Sequence, residues 1–229
     1  TIAIFVLAGF IAVIYSCAYG YTVEKMAYKP LRNAPRLSAL ISAIGMSLFL
    51  QNYVLLAQTS DFLPFPNLIP DFQFMEPYAH IISSAEVVIL ITTTTVMILL
   101  TVLIKFTKIG KAMRARLVGI DVDRVISVTF IVGSATAAIG GVLIASHVGM
   151  INFYVGFIAG IKAFVAAVLG GIGSIPGAVL GSFILGWTES FATGYVSSDY
   201  EDVFAFLFLV LILIFRPAGI LGRTEKYKV

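Results

Sequence analysis

The stretch KAFVAAVLGGIGSIPGAVLG runs from Lys162 to Gly181. It opens on a lysine, continues as an apolar run, and then breaks at GGIGSIPG, with four glycines and a proline. Glycine permits positive φ and close backbone approach. Proline is excluded from a helix interior but fits a first turn. The stretch therefore reads as two short apolar helices joined by a reversal of the chain. Ser174 is placed to cap the second helix, and Pro176 falls in its first turn.

The rest of the chain says which solvent these helices meet. Of 229 residues, 59% are hydrophobic and 12% charged, and mean hydropathy is +1.01. Soluble domains carry roughly 25% charged residues. A chain this apolar lies in a membrane. Seven apolar stretches follow one another at about 1–21, 37–58, 82–106, 125–148, 157–171, 176–194 and 203–216. Most reach the ~20 residues that a spanning helix needs. The expected fold is all-α: a single transmembrane bundle over 1–229 with about seven membrane segments. The fifth and sixth stretches form either two short crossings or one re-entrant pair.

The connections sort by sign. Residues 22–36 hold Lys25, Lys29, Arg32 and Arg36; residues 105–124 hold Lys105, Lys108, Lys111, Arg114, Arg116 and Arg124; the tail holds Arg216, Arg223, Lys226 and Lys228. These are 14 of the 15 Lys and Arg residues, and Lys162 is the remaining one. Segments 59–81 and 195–202 contain no Lys or Arg and carry six acidic residues. Basic connections stay on the cytoplasmic side. The pattern closes with residue 1 outside, each stretch crossing once, and the tail inside. It closes equally if 157–194 is a re-entrant pair returning to the outside. The outer loop 59–81, with four prolines and several aromatics, reads as an extended cap.

Several functions are excluded or disfavoured. No G-x-x-x-x-G-K-[ST] occurs, so the chain binds no ATP through a P-loop. No Cys/His cluster, H-E-x-x-H or G-x-S-x-G occurs, so neither a metal site nor an enzyme is expected. Cys17 is the only cysteine and reads as structural. The chain starts at Thr1 inside an apolar run with no cleavage signature, so the domain is expected to be N-terminally incomplete.

Small residues recur at helical spacing. Gly133, Ala137 and Gly141 fall in the fourth stretch, and Gly173, Gly177 and Gly181 run from the break into the sixth. Such faces let helices approach closely in lipid. Three ionisable residues lie in or near apolar runs: Glu86, Lys162 and Glu189. Lys162 either snorkels outward or pairs with Glu86, or else serves the translocation path or its gate. Other polar candidates for the path are Thr92–Thr95, among them Thr93, with Ser134, Thr136 and Asn152, together with Gly170 and Gly171 at the break. Thr and Ser often bond only their own helix backbone.

The connection KFTKIGKAMRARLVGIDVDR places Ile109, Met113, Leu117 and Ile120 on one helical face among basic residues. It reads either as an interfacial helix held by anionic lipid or as an amphipathic helix docked into a cytoplasmic partner.

The run VGMINFYVGFIAGIKAFVAAVLGGIGSIPGAVLGSFILG, preceded by LVGIDVDRVISVTF and followed by RPAGILGR, resembles permease subunits of bacterial branched-chain amino acid ABC importers, of the LivH type. The resemblance covers at least residues 105–224. It implies a multi-pass subunit of the bacterial inner membrane, embedded in lipid, with no nucleic-acid partner. Its implied partners are a second permease subunit, two cytoplasmic ATPase subunits and a periplasmic binding protein. ATP and Mg would sit on the ATPases, with no cofactor in this chain. The substrates would be leucine, isoleucine and valine, moved by alternating access. Residues 105–124 would be the cytoplasmic coupling segment, with Lys108, Lys111, Met113, Arg114, Arg116, Leu117 and Gly119 meeting the ATPase, and 59–81 would be the periplasmic loop. Two departures stand out. Family members carry further membrane segments before the first stretch here, and a longer polar stretch where Ala115 and Arg116 are adjacent. Related permeases carry urea, amides or sugars. A stand-alone secondary transporter or a membrane scaffold are readings from other classes.

Overall fold

The computed structural model describes residues 2–31, 36–66, 83–107, 122–171, 173–197, 200–215 and 219–222. Each of the seven apolar stretches forms a helix: α1 (Ile2–Val23), α2 (Arg36–Ala57), α3 (Ser84–Phe106), α4 (Val122–Val148), α5 (Val155–Gly170), α6 (Ile175–Tyr195) and α7 (Glu201–Phe215). A π-helical turn, Glu24–Tyr28, and a 3₁₀ turn, Lys29–Leu31, follow α1. Two short strands, β1 (Leu63–Pro64) and β2 (Met150–Ile151), pair antiparallel. The fold is therefore helical and polytopic, as expected.

The expected count of about seven membrane segments is not reached by length alone. Among the described residues, three helical segments are long and apolar enough to cross a membrane: Phe5–Leu31, Ser84–Phe106 and Asp123–Val148. The α5 and α6 pair adds a fourth if taken as one broken span. The reason is geometric. At 1.5 Å per residue, α5 and α7 reach only about 24 and 22 Å, short of a ~30 Å hydrocarbon core.

The chain divides into two compact units, Thr1–Val155 and Gly156–Val229. In the first, α1 packs along α4. The Ser16 hydroxyl donates to the Ser134 carbonyl at 2.9 Å, and the Cys17 thiol lies 3.5 Å from the Ile131 carbonyl. Gly20 sits so close to Ser134 that a side chain there would strike its hydroxyl. Below this contact the Tyr28 and Phe130 rings meet at 4.8 Å.

Two further links fix which helix ends share a side. Leu63 pairs with Ile151, Pro64 with Met150, and the Phe65 amide donates to Gly149 at 2.9 Å. The exits of α2 and α4 thus lie together. Lys29 and Asp123, 3.9 Å apart, join the exit of α1 to the entry of α4. Both links agree with the sidedness read from the charges: Lys29 belongs to a basic connection and residues 59–66 to an acidic one.

In the second unit, Val165, Ala166 and Leu185 form a buried cluster, against which Ile161 and Leu209 pack. The opposite face of α6 carries Phe183, Trp187, Phe191 and Tyr195, all exposed, with successive rings 5.6 to 6.4 Å apart. An aromatic stripe of this kind suits hydrocarbon rather than water.

Candidate functional site: the broken helix and its ion pair

At the end of α5 the backbone leaves helical geometry through two glycines, Gly171 at φ 107° and Gly173 at φ 91°. A residue with a Cβ is strained at both positions. Ser174 then starts α6: its hydroxyl accepts from the Gly177 amide at 3.1 Å, and Pro176 stands in the first turn. The cap and the proline were expected there, and the axis turns by 115° across the break.

The glycines after the turn bring α6 onto α5. A Cβ on Gly177 would stand 2.5 Å from the Gly170 carbonyl oxygen. A Cβ on Gly181 would strike the Ala166 carbonyl, and one on Gly170 the Gly177 carbonyl. At Gly177 and Gly181 the two helices therefore approach backbone to backbone. Gly173 serves the turn instead: no described heavy atom lies within 4 Å of a Cβ placed there. Gly133 and Gly141 differ from these. No described heavy atom beyond their own helix stands within 4 Å of a Cβ at either position. Gly133 and Ala137 instead border a shallow groove of about 350 Å³ with Thr129, Phe130 and Ser134. The close approach in the first unit is made by Gly20.

The segment after α7 returns to the same break. The Ile220 amide donates to Leu169 at 3.0 Å and the Leu221 amide to Gly170 at 2.9 Å. These are carbonyls of the last turn of α5, which have no partner within their own helix. The two stretches GGIGSIPGA and RPAGILG, far apart in sequence, thus meet backbone to backbone. Spacing in the sequence gave no sign of this contact.

Contacts between α5 and α6 continue past the glycines to a pair of opposite charges. Lys162 Nζ lies 3.2 Å from Glu189 Oε1, with the side chains 29% and 16% exposed. This corrects the proposed pairing of Lys162 with Glu86. Glu86 instead turns back on its own helix start and accepts from the Ser83 amide at 3.2 Å. Glu189 sits where a partner must sit: the antiparallel order of contacts, Gly170 to Gly177 and Ala166 to Gly181, carries on to Lys162 and Glu189. Leaving either charge alone in apolar surroundings would cost several kcal/mol, so the two are retained together.

The remaining candidates make local contacts. The Thr136 hydroxyl donates to the Gly133 carbonyl at 2.8 Å, and Thr94 and Thr95 each bond the carbonyl four residues back. Thr93 is exposed on α3. Asn152 Oδ1 accepts from the Tyr154 and Val155 amides at 3.0 and 2.8 Å, capping the start of α5. Lys108, Lys111, Met113, Arg114, Arg116, Leu117 and Gly119 lie outside the described residues, as do 67–81 of the outer loop.

One carboxylate escaped the sequence reading. Glu24 is 1% exposed, and its Oε2 accepts from the Ser127 hydroxyl at 2.9 Å. It is the only acidic residue of 22–36, directly after an apolar stretch, and that isolation was the available signal. It opens the π-helical turn, an element that occurs mostly as a single local distortion. Among the described residues, no group of three His, Cys, Asp or Glu side chains is placed to hold a metal.

The fold is thus a polytopic helical one with a glycine-broken helix and an ion pair between two apolar helices. The family described as branched-chain amino acid transport system, permease component, matches residues 1–213, and this chain belongs to it. It is 48% identical to the high-affinity branched-chain amino acid transport system permease protein LivH of Salmonella typhimurium, over 98% of this chain and 77% of that protein. It is 47% identical to LivH of Escherichia coli K12 over the same shares, and 46% identical to the permease protein BraD of Pseudomonas aeruginosa over 100% of this chain and 78% of BraD. The match to BraD runs over 241 positions, more than the 229 residues here, so BraD carries residues inside the matched span that this chain lacks. No solved structure gives a significant match.

Proposed function

We propose that this chain is the membrane-spanning subunit of an ATP-driven importer for branched-chain amino acids. The observation that carries this reading is identity of 46–48% along essentially the whole chain to permeases whose names state that transport. The subunit itself is a permease component. Hydrolysis of ATP with Mg falls to two cytoplasmic ATPase subunits, delivery of substrate to a periplasmic binding protein, and the path is shared with a second permease subunit. The setting is the bacterial inner membrane. Residues 105–124 are the coupling segment that takes up the ATPase motion, through Lys108, Lys111, Met113, Arg114, Arg116, Leu117 and Gly119.

Alternating access needs helices that move as bodies and joints that let them. The break at Gly171–Ser174 supplies one such joint. Its contact with Gly219–Leu221, next to a basic tail, favours a turn on the cytoplasmic side. The path must take an aliphatic side chain and a charged backbone together, which Lys162 and the break are suited to meet.

The test is uptake of labelled leucine by the complex assembled with its ATPases and binding protein, with urea, amides and sugars as competitors. Saturable leucine uptake that needs the ATPases supports the reading. Uptake of urea, amides or sugars without any aliphatic amino acid would overturn the substrate, and uptake without the ATPases would point to a secondary transporter.

A further inference from the structure

We propose that Lys162 and Glu189 form a binding element for the charged backbone of a free amino acid. The pair opens to take the α-carboxylate on Lys162 and the α-ammonium on Glu189. This inference rests on the amino-acid transport reading above and adds a site to it.

Three observations carry the inference. First, the two charges face each other at 3.2 Å across two apolar helices. Second, the pair lies inside the helices, not at their ends. Lys162 is seven residues from the start of α5 and Glu189 six from the end of α6, so each is about 10 Å in from its helix end. Third, both side chains keep some exposure, at 29% and 16%. Ionisable groups at such a depth face a water-filled cavity or the bundle interior rather than lipid.

The chemistry of exchange follows. A zwitterion presents one positive and one negative group a few ångströms apart. Replacing one internal ion pair with two intermolecular pairs leaves every charge matched both before and after exchange, which is the arrangement that an apolar interior tolerates. A neutral solute such as urea or a sugar offers no such exchange. The site would then favour free amino acids while leaving the side chain to apolar contacts. A pair that serves packing alone behaves differently, because exchanging it for two neutral residues of similar volume leaves substrate binding and uptake as they were.

The experiment compares the assembled complex carrying wild-type subunit with two double variants. One is neutral, Lys162→Met with Glu189→Gln. The other exchanges the charges, Lys162→Glu with Glu189→Lys. Neither leaves one member of the pair charged without the other. Folded subunit in the membrane, leucine uptake at saturating substrate, and direct binding of labelled leucine to the permease and ATPase complex are measured. The expected result is normal folded subunit with uptake and binding reduced at least about tenfold in both variants. Wild-type uptake in either variant overturns the inference alone. Failure of both variants to fold makes the pair a folding element and also overturns it. Absence of amino-acid uptake by the wild-type complex overturns the transport reading, and this inference with it.

Discussion

Gly219 rests on Gly171: a Cβ added to Gly219 would stand 2.5 Å from the Gly171 Cα. Gly219 is at φ 77° and Gly171 at φ 107°, so both sides of the contact require glycine. The neighbouring amides of Ile220 and Leu221 then reach the carbonyls that end α5. Replacing Gly219 with Ala should release this segment and destabilise the subunit by about 1–3 kcal/mol, from positive φ and backbone collision together. Thermal unfolding in nanodiscs, with protease access to the tail in the native state, measures both effects. Unchanged stability and a protected tail would refute the contact.

The glycines of α6 and α4 should behave in opposite ways. Gly181→Ala places a methyl group against the Ala166 carbonyl and must push α6 off α5. A loss of about 2 kcal/mol or more is expected, in the range of overpacked interiors. Gly133→Ala and Gly141→Ala meet open space and should stay within about 0.5 kcal/mol of wild type or gain slightly from helix propensity. Equal losses at all three positions would contradict this division.

Ser174 caps α6 through the Gly177 amide. Ser174→Ala should cost about 1 kcal/mol, while Ser174→Asp keeps an acceptor and most of that stability. The unfolding midpoints of the two variants provide the comparison, and equal midpoints would remove the cap from the account.

Asn152 is the cap of α5, holding two amides with one oxygen. Asn152→Asp should retain both bonds and wild-type leucine uptake, whereas Asn152→Ala should lose about 1 kcal/mol. Loss of uptake in the aspartate variant, with stability intact, would return Asn152 to the translocation path.

Glu24 is buried against Ser127. Glu24→Ala leaves the hydroxyl without this acceptor and should destabilise by about 1–3 kcal/mol, and Glu24→Gln by less because the acceptor stays. Thermal unfolding of the two variants orders them, and a glutamine variant as unstable as the alanine variant would sink the hydrogen-bond explanation.

Hydropathy places all seven helices to within a few residues, because each is a mainly apolar run ended by charged, polar or Gly/Pro residues. Local chemistry was equally readable: Ser174 and Pro176 needed only the rule for a helix start. Pairings across the chain were not. For Lys162 the sequence left an outward course, a pairing with Glu86 and a place in the path all open, and only the antiparallel order of α5 and α6 brings Glu189 beside it. Gly133 and Gly181 have the same small-residue spacing, and only the position of a neighbouring carbonyl distinguishes them. Glu24 was hidden because its connection was read for its sum of basic charge, whereas burial depends on one side chain and its neighbour on α4.

The caps on Leu169 and Gly170 bear on how the subunit is made. A ribosome completes α5 about fifty residues before it delivers Ile220 and Leu221. Through the insertion of α6 and α7, the last carbonyls of α5 must be served by water or by the insertion machinery. The second unit therefore locks only when its tail has emerged, and nascent chains halted before Gly219 should retain an unlocked helix end.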